Sequence, residues 1–181
     1  MLFRAAANKH LTPCTLELGG KSPAYIDSTG NLEYAVRRLC WGKFTNCGQI
    51  CVAPDYVLCS RAVQDKVVPI MERVVREWYT DSVSSSPDYC RIVSDRHQAR
   101  LKSLLSSSKG KIAFGGVTED SDKLITPTVV TDVKLDDSLM KVMCYLCYIA
   151  IVISRGSRLD TVKYKCITFL FRMRYSVPSC P

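Results

Sequence analysis

Between residues 31 and 130 the chain alternates apolar residues at helical spacing with short β-prone runs. That alternation confines it to an α/β layer architecture. From Asn31 onward Leu32, Ala35, Val36, Leu39 and Cys40 recur at helical spacing, with Arg37 and Arg38 on the other side. Asn31 is a plausible cap, and Glu33 falls in the first turn, where the helix dipole favours a carboxylate. Residues 62–79 form the strongest helical pattern, with Val63, Val67, Ile70, Met71, Val74 and Trp78 in one apolar stripe. Pro69 within it predicts a kink, because proline removes a backbone donor. Residues 95–105 predict another amphipathic helix. Residues 15–18, Tyr56–Cys59, Lys111–Phe114 and 128–130 predict strands, and Ser/Pro-rich 82–88 predicts a loop.

The length of 181 residues is that of one domain, or one domain with a tail. The formal charge of +8 is unevenly placed: residues 1–140 contribute +2 and residues 141–181 contribute +6. After about Met140 acidic residues almost vanish, and apolar and basic residues mix without a sustained period. The longest apolar run, 142–153, is too short to span a bilayer, which takes about 20 residues. Ten cysteines without a signal-type leader predict reduced thiols and a cytoplasmic location. Cys144 and Cys147 have C-x-x-C spacing, but Cys166 and Cys180 are separated by thirteen intervening residues with no histidine nearby. No metal site is expected there. The basic tail carries no RNP, KH or finger motif, so no nucleic-acid partner is expected.

Two segments hold residues suited to chemistry. In Phe44-Thr45-Asn46-Cys47-Gly48-Gln49-Ile50-Cys51, a cysteine just past a glycine-containing turn could present its thiol beside backbone N–H groups. Taken alone, such a cysteine is more often a small buried hydrophobe. His10 and His97 are far away in sequence, so a nucleophilic Cys51 needs another base. Glu17, in Leu16-Glu17-Leu18-Gly19-Gly20-Lys21-Ser22-Pro23, lies at a strand end beside a flexible Gly-Gly. A lone glutamate there is more often a solvated surface residue.

Together, LELGGKSP and FTNCGQICVAPD resemble the two signature segments of the aldehyde dehydrogenase superfamily, one bearing its active-site glutamate and the other its catalytic cysteine. The 34-residue separation of Glu17 and Cys51 fits that layout. The flanks AAANKHLTP, VAPDYVLC, SPDYCRIV, IAFGG and TPTVVTDV follow in order and are most similar to the class 3 subgroup, the fatty and aromatic aldehyde dehydrogenases. The resemblance covers about residues 5–140. It implies a partial catalytic domain of three-layer α/β type, Cys51 as nucleophile, Glu17 as general base, and Leu18 and Gly19 beside the nicotinamide of NAD or NADP. It also implies a small-molecule aldehyde substrate and oxidation to the carboxylic acid.

Two departures qualify what the resemblance implies. The family's cofactor-binding domain lies upstream of the first motif and is largely missing, together with the side-chain amide that supplies a second oxyanion donor. After Leu139-Met140-Lys141 the family continues Glu-Glu-Ile-Phe-Gly-Pro, where this chain reads VMCYLC. The expected organisation is therefore a remnant of the cofactor domain at 1–17, a partial catalytic domain at 18–140 and a non-family tail at 141–181. Such a chain is expected to oxidise aldehydes poorly alone. The alternative is a non-catalytic truncated isoform that forms homo-oligomers or associates with full-length subunits.

Overall fold

The structure is a computed structural model and describes residues 2–15, 20–80, 82–141 and 148–153. It begins with α1 (Leu2–His10), then β1 (Pro23–Tyr25), α2 (Leu32–Phe44), β2 (Tyr56–Cys59) and α3 (Arg61–Tyr79). There follow α4 (Asp95–Ser107), β3 (Lys111–Phe114), β4 (Thr118–Glu119), β5 (Leu124–Ile125), β6 (Thr128–Thr131), α5 (Ser138–Lys141) and β7 (Tyr148–Ile153). The main sheet has the order β1-β2-β7-β6-β3. Its first four strands run parallel, and β3 pairs antiparallel with β6 at the edge. The fold is mixed α/β, as the alternating pattern predicts; β4 and β5 form a separate two-stranded ribbon.

The helices begin where the sequence supplies caps. Asn31 accepts a hydrogen bond from the Tyr34 N–H at 3.0 Å, Ser60 one from Val63 at 3.3 Å, and Ser94 one from His97 at 3.4 Å. Each satisfies a backbone donor that the first helical turn leaves open. The α3 stripe is buried at Val63, Val67, Met71 and Val74, while Ile70 and Trp78 pack at its margin. Pro69 does not break α3, which runs unbroken to Tyr79. Both Pro69 and Asp65, whose carbonyl loses its intrahelical donor, lie on the exposed face, where solvent can satisfy the oxygen. The α2 and α3 helices pack together and share an ion-pair cluster: Glu33 bonds to Arg37 and Arg73, and Arg37 to Glu77.

The strands β2, β6 and β7 hold the centre of the core, with Val57, Val129, Ile149 and Ile151 fully buried. The strand β7, which follows residue 140, lies between β2 and β6 in mid-sheet. A strand covered on both faces reads as a continuous apolar run without alternation. That is the texture of residues 142–153, so periodicity did not mark the strand. Gly115 bridges β3 to the β4–β5 ribbon at φ +80°, and a Cβ there would stand 2.1 Å from the Pro127 carbonyl oxygen. Only glycine fits that crossing.

Candidate active site

The parallel pairing of β1 with β2 brings the two motif segments together. Pro23 is in register with Tyr56, so the segments entering both strands emerge at the same end of the sheet. The Asp55 N–H donates to the Ser22 carbonyl at 2.9 Å, and the Ser22 N–H donates to Asp55 Oδ2 at 3.1 Å. This reciprocal pair locks GGKSP against VAPD. Asp55 is buried, with Lys21 Nζ and Lys43 Nζ each 3.8 Å from its carboxylate. Lys21 also donates to the Leu139 carbonyl at 3.0 Å, tying the strand entry to α5.

The cysteine loop leaves the C-terminus of α2 through a tight turn over Thr45–Gly48. Asn46, Cys47 and Gly48 take left-handed backbone angles in succession, with φ of 52°, 55° and 71°. Asn and Gly adopt that region readily, whereas at Cys47 it carries strain. The Gln49 side chain fastens the loop to residues 91–93. Its Nε2 donates to the Asn46 and Arg91 carbonyls at 3.1 and 3.0 Å, and its Oε1 accepts from the Val93 N–H at 3.0 Å. A final turn, closed by the Ala53 N–H on the Ile50 carbonyl at 3.1 Å, carries Cys51.

Cys51 is exposed, beside the exposed Val52. Cys40, Cys47 and Cys59 are buried, and burial pushes their thiols up to about 12, about 12 and about 11. The nucleophile is the thiolate, so those three are poor nucleophiles near neutral pH. The arrangement can therefore present an accessible thiol on a loop pinned at both ends. Glu17, Leu18 and Gly19 lie outside the described residues, as do Cys144, Cys147, Cys166 and Cys180. Among the described residues no group of three or more His, Cys, Asp or Glu side chains is placed to hold a metal. No helix among them is long and apolar enough to cross a membrane. Sequence reasoning missed the supporting role of Asp55 and Gln49. Both stand inside the quoted motifs, and an aspartate directly ahead of an apolar strand was the available signal.

A mixed α/β sheet with a pinned cysteine loop at the entry to one strand defines the class of this chain: an α/β unit that presents an exposed cysteine. The aldehyde dehydrogenase family profile matches residues 2–145, and the chain belongs to that family. It is 52% identical over 136 residues to aldehyde dehydrogenase family 3 member A2 of Rattus norvegicus, covering 75% of this chain and 28% of that protein. It is 45% identical over 136 residues to 4,4'-diaponeurosporen-aldehyde dehydrogenase of Staphylococcus aureus, covering 75% of this chain and 30% of that protein. The solved substrate-bound state of Staphylococcus aureus AldH superposes with a TM-score of 0.81 at 39% identity, over 86% of this chain and 34% of that one. The chain thus spans less than a third of the length of these two relatives. The similarity to family 3 agrees with the class 3 resemblance of its motifs.

Proposed function

We propose that this chain carries the nucleophilic part of an NAD(P)-dependent aldehyde dehydrogenase, in which Cys51 attacks the aldehyde carbon. The thiolate sulfur forms the new C–S bond while the carbonyl π electrons move to oxygen, giving a thiohemiacetal oxyanion. NAD or NADP, when bound, would supply the hydride acceptor for the oxidation. Glu17 then removes a proton from water, which attacks the thioester and releases the carboxylic acid and the Cys51 thiolate. Leu18 and Gly19 belong beside the nicotinamide in this reading.

The exposed placement of Cys51 on a loop pinned by Gln49 carries the proposal. An activated aryl ester tests it without any cofactor, because acyl transfer to Cys51 gives a thioester of the same kind. The expected result is a burst of one phenolate per chain and acylation mapped to Cys51, both lost in Cys51→Ser. Glu17→Gln should keep the burst and slow steady turnover about 100- to 10,000-fold, the usual worth of a general base. Acylation spread over several cysteines would overturn the assignment of Cys51. Unchanged turnover in Glu17→Gln would overturn that of Glu17.

A further inference from the structure

We propose that Cys47 and Cys90 form a modification site, a pair of thiols that closes into an intrachain disulfide on reaction with a small-molecule disulfide. The inference concerns thiols that the Cys51 mechanism does not use, and it stands independently of that reading. Cys47 Sγ lies against the carbonyl of Cys90, so its sulfur already touches the backbone of the residue it would bond. The approach is built into the fold. Gln49 bonds to both Arg91 and Val93, laying residues 90–93 along the cysteine loop. The Cys47 thiol meets the Cys90 carbonyl across that seam.

The two thiols differ in a way that assigns their order of reaction. Cys90 is exposed, and Cys47 is buried. An incoming disulfide can therefore reach only Cys90 first. The Cys90 thiolate attacks one sulfur of the reagent, breaking its S–S bond and releasing one thiolate. Cys47, losing its proton to solvent, then attacks the Cys90 sulfur and expels the second thiolate. The chain loses two protons and two electrons, and the reagent is reduced to two thiols. Burial pushes the Cys47 thiol up to about 12, with the adjacent Cys90 acting in the same direction, while a hydrogen bond with Tyr89 and the charge of Arg91 oppose it. Ring closure is thus the slow step, assisted by the low pKa of the departing small thiol.

Oxidised glutathione serves as the probe. The full chain is incubated with it, remaining thiols are blocked, and the protein is digested with trypsin without reduction. The peptide of residues 44–61 also carries Cys51 and Cys59, so fragmentation spectra assign the linked sulfur. The expected product joins Cys47 to Cys90 and is two hydrogens lighter than the two peptides, with Cys51 blocked. Cys90→Ser should abolish it, whereas Cys51→Ser should leave its yield unchanged; both substitutions fall at exposed positions and spare the core. A reaction that stops at the Cys90–glutathione mixed disulfide would overturn the proposal. So would Cys90 linked to Cys51 or Cys59, or a Cys47 disulfide that persists in Cys90→Ser.

Discussion

Asp55 shows how a single side chain can set the relation between two loops. Its carboxylate receives the Ser22 N–H and faces Lys21 and the fully buried Lys43. Removing one partner of a buried ion pair leaves a charge in low dielectric, and typically costs about 3–5 kcal/mol. Asp55→Asn should therefore lower the unfolding free energy by about that amount in urea titration, while Asp55→Asn with Lys43→Met should recover much of the loss. Equal destabilisation in the single and double variants would show that charge is not the issue. The family was legible because the motif around Cys51 is contiguous. The lock on that motif was not, because Ser22 and Asp55 are 33 positions apart, and Gln49 and Val93 are 44 apart. No periodicity in one sequence reports such distant pairs.

Most elements were legible for local reasons. The caps at Asn31, Ser60 and Ser94 precede amphipathic runs, and local hydrogen bonding decides where a helix starts. Pro69 misled because its cost depends on which face it occupies, which only the packed helix reveals. The short α5 was missed, since one helical turn has no period to detect. Asp137 organises that turn: it accepts from the Leu139 N–H at 3.0 Å and from the Lys109 N–H at 2.8 Å, linking α5 to the turn before β3. Burial pushes its carboxyl up, but the bonds from Leu139 and Lys109, with those from Ser108 and Ser138, outweigh this and hold it below the usual carboxylate value. A depressed folded-state pKa stabilises above the unfolded value, about 3.9 for aspartate, and that gain fades as pH falls through the folded value. Asp137→Asn should thus cost about 1–3 kcal/mol near neutral pH, with the gap closing below about pH 4. A gap that is constant with pH in denaturation curves would contradict this role.

At the scale of the molecule, β7 decides whether the chain is one folded unit. On one side it pairs with β2, which carries β1 and follows the cysteine loop; on the other it pairs with β6, which carries β3. Without it, β2 and β6 would each present an unpaired row of backbone groups, and Val57 and Val129 would lose their neighbour. Composition did not mark this strand, because charge and hydropathy alternation report exposure and the strand has almost none: Tyr148 through Val152 are all buried. Its neighbours in sequence carry the positive charge of the tail, and averaging the two hid the strand. The consequence is a contrast between deletion and substitution. A chain ending at residue 147 should lose cooperative unfolding and bind a hydrophobic dye, since the sheet is then split down its middle. Ile151→Ala in the full chain should cost about 2–5 kcal/mol yet keep a single transition with the parent denaturant slope. If the shortened chain unfolds with the midpoint and slope of the full one, β7 does not join the two halves, and the cysteine loop is supported by β1, β2 and their helices alone.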